Sequence, residues 1–258
     1  MTIRFDKYQG SGNDFVVIDN RKGIYNSLSR EFISKVCDRH WGVGGDGLIK
    51  LERRGEEIYM DYYNSDGNPG SMCGNGGRCF SRFAESLGLV TPNQPFVFSA
   101  MDGIHTAYLF SDKVSLEMKK PKGFIKISDR QWFLDTGSPH HIEWVEEIDT
   151  YPVNQKGAEI RYGSRYGEEG SNVNFVEFTS SGEIKVRTYE RGVEAETLSC
   201  GTGAVAVAQV WNQVFGVPFP VLLHTQGGVL EVSQSSPEET PWLTGPAEKV
   251  FEGQIILP

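Results

Sequence analysis

The chain has 258 residues, 38% of them hydrophobic and 23% charged, long enough for the cores of two globular domains of ordinary size. Its net charge of −9, from 25 basic and 34 acidic residues with no dense Lys/Arg block, argues against nucleic acid or an anionic membrane as the main partner. No apolar run approaches bilayer-spanning length, which points to the cytoplasm. The four cysteines (37, 73, 79 and 200) are too sparse for a disulfide scaffold and lack metal-ligand spacing, so no metal site is expected.

In chain order, Ile3 and Phe5 alternate with polar residues, and Phe15-Val16-Val17-Ile18 runs apolar after Gly10-Ser11-Gly12-Asn13. This predicts two strands joined by a glycine turn. Leu28, Phe32, Ile33, Val36 and Cys37 recur at helical spacing, which makes Cys37 a small core residue. Glycines 42, 44, 45 and 47 end that helix, and residues 48–51 and 58–63 read as strands.

Next comes Met72-Cys73-Gly74-Asn75-Gly76, opening into a helix-like run over 77–85. Residues 96–98 and 105–109 form a predicted hairpin at Asp102-Gly103, and 114–118 closes the first half. Residues 119–126, with Pro121 and Gly123, read as a linker.

The second half repeats this grammar. Residues 170–176 resemble residues 10–16, and Tyr189-Glu190 precedes Cys200 as Tyr63-Asn64 precedes Cys73. Ser199-Cys200-Gly201-Thr202-Gly203 opens a second helix that is apolar on nearly every side, as suits a helix enclosed by strands. Gly88 and Gly216 end the two cysteine helices, and each is followed by a proline, a strand and a hairpin, the second at Gly227-Gly228. Residues 233–241 read as a polar loop and 253–257 as a final strand.

The fold class that follows is α+β. It has two pseudo-symmetric domains of one fold, each a curved, mostly antiparallel sheet around a central helix, with the active site expected in the interdomain cleft. The expected boundaries are 1–119, with 247–258 packing back on it, and 120–246.

A thiol at a helix N-terminus lies among backbone N–H groups and at the positive end of the helix dipole, which favours the thiolate. Two such thiols facing one carbon are what stereoinversion demands: one removes a proton and the other delivers one to the opposite face. Cys73 and Cys200 are therefore the candidate acid/base pair. The N–H groups of Gly74-Asn75 and Gly201-Thr202 are suited to hold a substrate carboxylate as carbanion character develops. Nothing in the chain suggests a pyridoxal site. Cys79, about 240° around the helix from Cys73, should point elsewhere, and His40 is expected to pack or cap.

An ordered set of motifs resembles the diaminopimelate epimerase family over nearly the whole chain. They are Gly12-Asn13-Asp14-Phe15, Arg39-His40-Trp41-Gly42-Val43-Gly44, Asn64-Ser65-Asp66-Gly67, Cys73-Gly74-Asn75-Gly76-Gly77-Arg78-Cys79, Gly137-Ser138-Pro139-His140, Asn172-Val173, Tyr189-Glu190-Arg191-Gly192, Glu196-Thr197 and Cys200-Gly201-Thr202-Gly203. The resemblance implies cofactor-independent interconversion of LL- and meso-2,6-diaminopimelate, in lysine and peptidoglycan-precursor biosynthesis, with Cys73 and Cys200 as the acid/base pair and His140 and Glu190 assisting. It also implies Asn13, Asn64, Asn172, Glu190 and Arg191 as ligands of the substrate's distal end, and a homodimer.

Three departures from the family pattern stand out: Ser138 replaces a common Asn, Gly47 stands where some members have Gln, and residues 192–196 run one residue longer. The rival readings are a proline or hydroxyproline racemase, disfavoured by Asn75 where those enzymes carry His, a thiol oxidoreductase lacking C-x-x-C, and a metal-binding module lacking ligand spacing.

Overall fold

The computed structural model describes residues 2–179 and 182–256. The chain divides into two compact units, 1–116 with 245–258, and 117–244.

The first unit runs β1 (Thr2–Gly10), β2 (Asn13–Asp19), α1 (Arg30–Cys37), β3 (Gly47–Arg54), β4 (Glu57–Asn64), α2 (Gly74–Ser86), β5 (Phe96–Ala100), β6 (Gly103–Leu109) and β7 (Lys113–Glu117). The second contains β8 (Lys122–Lys126), β9 (Gln131–Asp135), β10 (Pro139–Trp144), α3 (Val153–Arg161), β11 (Asn172–Phe178), β12 (Ile184–Glu190), β13 (Ala195–Thr197), α4 (Gly201–Phe215), β14 (Val221–Thr225), β15 (Gly228–Ser233) and β16 (Trp242–Pro246). β17 (Glu248–Ile256) returns to the first unit and pairs antiparallel with β1. It begins well before the predicted final strand, and Leu257, at that strand's end, lies outside the described residues.

In the first unit β2 is parallel to β3 across α1, and β4 is parallel to β5 across α2. Helical crossovers are the ordinary way to join parallel neighbours. The pairs β1–β2, β3–β4, β5–β6 and β6–β7 are antiparallel. The second unit repeats the scheme: β10 is parallel to β11 across α3, and β12 is parallel to β14 across α4. Its β8–β9, β9–β10, β11–β12, β12–β13, β14–β15 and β15–β16 pairs are antiparallel. Two copies of one mostly antiparallel α+β unit, each with a central helix, are thus present.

Burial explains the sequence pattern of β2. Val16 and Ile18 join Ile33, Val36 and Cys37 of α1 in one cluster, while Phe15 lies with Ile49 and Met60 near Gly76 of α2. With both faces covered, Phe15-Val16-Val17-Ile18 is fully buried and reads as a continuous apolar run. In the second unit, residues 203–211 of α4 are all buried, and the helix packs on β9, β10, β11, β14 and β15.

The structure differs from the sequence expectations in the second unit. Residues 122–126 form β8 rather than a linker; its register slips between Lys122 and Ile125, where Gly123 has φ +69°, so the breaker residue serves a bulge instead of ending the strand. β9, β10 and α3 were not anticipated: α3 has Gly157 at its middle and no side-chain N-cap bond, which weakens its pattern.

The match of residues 10–16 to 170–176 is also not the structural equivalence. In connectivity β2 corresponds to β10 and β3 to β11, so Asn172, first in β11, corresponds to Gly47, first in β3. A glycine turn entering an apolar strand recurs in both places, and local similarity cannot separate them. The equivalence of Asn64 and Glu190 does hold, since they end β4 and β12.

Gly157 is the point where α3 meets β12. A Cβ there would lie 2.3 Å from Cβ of Tyr189. Gly157→Ala is expected to destabilise the protein by about 1–3 kcal/mol through overpacking, read as a lower urea midpoint with an unchanged slope.

Candidate active site

Each central helix starts at the residue after a cysteine. Cys73 is the N-cap of α2, with extended backbone (φ −96°, ψ 131°), and its carbonyl takes the Gly77 N–H at 2.7 Å. Cys200 is the N-cap of α4 (φ −124°, ψ 112°), and its carbonyl takes the Ala204 N–H at 2.9 Å. Neither side chain makes a capping bond, so each sulfur sits at the positive helix end without being consumed by the cap. The first-turn N–H groups of Gly74-Asn75 and Gly201-Thr202 have no carbonyl acceptor within their own helix.

In the first unit, Sγ of Cys73 is 3.4 Å from Oδ1 of Asn13. That amide's orientation follows from its neighbours. Nδ2 of Asn13 donates to Oδ2 of Asp46 at 2.5 Å, and a carboxylate can only accept. From the other side, buried Arg78 donates to Oδ1 of Asn75 at 2.9 Å, which turns Nδ2 of Asn75 toward Oδ1 of Asn13 at 3.4 Å. Both constraints point the Asn13 oxygen at the sulfur.

Asp46 is itself gripped by Arg39, which forks onto Asp14 at 2.7 and 3.0 Å and reaches Asp46 at 2.8 Å. Lys7 joins Asp14 at 2.7 Å and donates to the Gly44 carbonyl. Burial alone would push the Asp14 carboxyl up, but hydrogen bonds and charge from Arg39 and Lys7 hold it well below the usual range.

Asn64 ends β4 with an exposed side chain, its backbone closing the turn to Gly67 and Asn68. Gly47, on the neighbouring strand, could not carry a side chain: a Cβ would stand 2.5 Å from the Tyr62 ring and from the Tyr63 carbonyl. Burial pushes the Cys79 and Cys37 thiols up to about 12, which fits their packing roles. His40 is exposed on a turn where its backbone N–H bonds the Asp38 carboxylate.

In the second unit His140 is fully buried, with Nε2 at 3.1 Å from the Ser138 hydroxyl and 3.0 Å from the Thr202 hydroxyl. Oγ1 of Thr202 is 3.5 Å from Sγ of Cys200, so His140, Ser138, Thr202 and Cys200 form one connected group. Asn172 donates to Oγ of Ser138 (2.9 Å) and to the Pro139 carbonyl (3.0 Å), while its oxygen accepts the Arg191 N–H (2.9 Å). Arg191 also donates from Nη1 to the Glu169 carbonyl, and Glu190 accepts from Thr197 at 2.9 Å. Burial, helped by the charge of Arg191, pushes His140 down to about 3, so the ring is neutral at physiological pH.

The structure also gives parts to residues to which the sequence assigns none: Arg39 and Arg78, which lie inside quoted motifs, Asp46 behind Asn13, and Asn174 behind His140. The available signal was a polar residue inside an otherwise apolar stretch, as at Asn174 among Val173, Phe175 and Val176. Among the described residues no group of three or more His, Cys, Asp or Glu is placed to hold a metal ion.

The fold is shared with solved structures. The Bacillus anthracis phenazine biosynthesis protein of the PhzF family superposes with a TM-score of 0.75 over 100% of both chains at 15% identity. At the sequence level, the diaminopimelate epimerase family model matches twice, over residues 5–123 and 132–250. Diaminopimelate epimerase of Flavobacterium psychrophilum is 46% identical over 98% of this chain and 100% of its own. That of Chlorobaculum tepidum is 40% identical over 96% and 99%. Taken together, the duplicated α+β unit and these matches place the protein among the amino-acid epimerases. Within that class, the chain belongs to the diaminopimelate epimerase family.

The buried imidazole makes stability depend on pH. An ordinary histidine takes up a proton near 6.5, whereas folded His140 resists until about 3. Below about 6.5 the unfolded chain therefore binds a proton that the folded chain does not, so this contribution to stability is present at neutral pH and is lost as pH falls toward 3. Urea midpoints measured from pH 7 to pH 4 are expected to fall less steeply in His140→Gln than in the unsubstituted protein.

Proposed function

We propose that this chain interconverts LL-2,6-diaminopimelate and meso-diaminopimelate by moving the α-proton between two thiols, Cys73 and Cys200. Family membership supports the substrate and the reaction, and with them a place in lysine biosynthesis. The observation that carries the two-thiol assignment is the repeat of one N-cap cysteine at the head of each unit's central helix.

In the proposed step, a thiolate at one sulfur takes the α-hydrogen as a proton and leaves the electron pair on carbon. The opposite S–H then supplies its proton to the other face. In one direction Cys200 accepts and Cys73 donates, and in reverse they exchange roles.

A thiol with an ordinary pKa of about 8.5 is far weaker as a base than the carbanion it must generate, and each unit of mismatch adds ~1.4 kcal/mol. The N–H groups of Gly74-Asn75 and Gly201-Thr202 are the proposed compensation, binding the α-carboxylate where negative charge develops. Asn13, Asn64, Asn172, Glu190 and Arg191 are proposed for the distal amino-acid end, with the Arg191 cation for its carboxylate. Ser138 is proposed to contact substrate through its hydroxyl. Neutral His140, joined to Cys200 through Thr202, and Glu190 are proposed to help set the protonation of the thiols. The proposed assembly is a homodimer and the proposed compartment the cytoplasm; among the described residues no helix is long and apolar enough to cross a membrane.

The purified protein in D₂O, without added cofactor, is expected to exchange the α-hydrogen of LL-diaminopimelate and not that of proline. Exchange with proline alone would overturn the substrate. Cys73→Ala and Cys200→Ala should each lower kcat/KM by at least about a hundredfold, and full activity in either variant would overturn the mechanism. Diamide treatment is expected to inactivate the protein reversibly, with mass spectrometry finding a Cys73–Cys200 disulfide that dithiothreitol removes.

A further inference from the structure

Asn174 sits in the middle of β11 with no exposed surface. Its amide orientation is dictated by the His141 carbonyl, which can only accept and lies 2.9 Å from Nδ2. Oδ1 consequently faces the Thr188 hydroxyl at 3.0 Å. The second hydrogen on Nδ2 is directed at Nδ1 of His140, 3.1 Å away. A neutral imidazole nitrogen that receives a hydrogen bond carries the lone pair, so the ring proton belongs on Nε2.

From Nε2 that proton is offered to the hydroxyls of Thr202 at 3.0 Å and Ser138 at 3.1 Å. With an acceptor site of Thr202 Oγ1 occupied, its own hydrogen can be donated to Sγ of Cys200, 3.5 Å away. The opposite tautomer would set N–H against N–H between His140 and Asn174. Nε2 would then accept from a hydroxyl, drawing the Thr202 hydrogen away from the sulfur.

We propose that Asn174 is a positioning residue for the epimerisation: it locks His140 in the Nε2–H tautomer, so that Thr202 donates its hydroxyl hydrogen to Cys200. This rests on the role given to Cys200 above. The second glycine of Cys200-Gly201-Thr202-Gly203 belongs to the same device, because a Cβ at position 203 would stand 2.3 Å from Oδ1 of Asn174 and displace the amide.

The test is ¹⁵N NMR of histidine-labelled protein at pH 7, with the His140 signals identified by their loss in His140→Gln. The unsubstituted protein is expected to show a protonated Nε2 and an unprotonated Nδ1. Asn174→Asp replaces the donor with an isosteric acceptor, so the tautomer is expected to reverse and kcat to fall at least about tenfold, in the direction seen when a triad histidine is held in the wrong tautomer.

A proton on Nδ1 in the unsubstituted protein, or an unchanged tautomer in Asn174→Asp, would overturn the proposal. If that variant does not fold, the spectrum of the unsubstituted protein decides alone. The two readings also fail separately: retained activity in Cys200→Ala sinks the role of the thiol, whereas the ring spectrum reports on Asn174 whatever the activity.

Discussion

Enclosing a helix on nearly every side removes the polar face that a surface helix keeps; α4 lives under that constraint from 203 to 211, and α2 is buried in the same way over 74–81. Gly76 of α2 is approached by Phe15, Ile49 and Met60, and Gly77 by Leu116 and Met72, so a larger residue there would press on the strands. In α4 the alternation of alanine and valine from 204 to 208 fills the space between the strands. The polar groups such a helix cannot shed are those of its first turn, and they must open where water or a ligand can meet them. Placing a cysteine immediately before that turn therefore delivers the sulfur and a set of backbone donors to the same spot. The placement of each sulfur starts from the packing of its unit's central helix.

The two copies then diverge in what surrounds the sulfur. At equivalent ladder positions the first unit has Phe15 opposite Gly47, and the second has His140 opposite Asn172. The last residue of the following strand is Asn64 in one and Glu190 in the other. In the first unit the amide facing Cys73 is oriented by charges, Asp46 with Arg39 on one side and Arg78 on the other. In the second unit the group facing Cys200 is oriented through uncharged side chains, Asn174, His140 and Thr202. The sulfur of Cys73 meets an amide oxygen, whereas that of Cys200 meets a hydroxyl. Duplication supplied the scaffold twice, and the strand ends made the copies chemically unlike.

What could be read from the residues follows from how local each signal is. The cysteine-glycine turns, the enclosed helix α4, the apolar strand β2 and the glycine hairpins are each declared within a few residues. β8, β9 and β10 were not legible because their strand character depends on partners brought together by the fold: β8 is exposed along its whole length and is held by pairing with β9. α3 is held by Val153, Ala158 and Ile160 packing against Val173, Phe175 and Tyr189, which its own pattern does not announce. Among the candidate residues, the cysteines, Asn13, His140 and Thr202 lie within recognisable motifs. Asn174 and Asp46 lie outside those motifs, and Arg39, though inside one, does not declare its part, since each acts by orienting another side chain and only the spatial arrangement says which.

The departure at Gly47 shows how such couplings work in this chain. With glycine at the start of β3, the Tyr62 ring of β4 occupies the space a side chain would need, and it packs edge-on to Phe15 at 6.0 Å. Gly70 leaves room for the same ring from the other side, where a Cβ would lie 2.6 Å from it. A side chain at 47 would meet both this ring and the Tyr63 carbonyl at 2.5 Å, so the ring and the β4 backbone together hold the position to glycine. In this protein the glycine leaves that space to an aromatic ring on β4, two residues before Asn64.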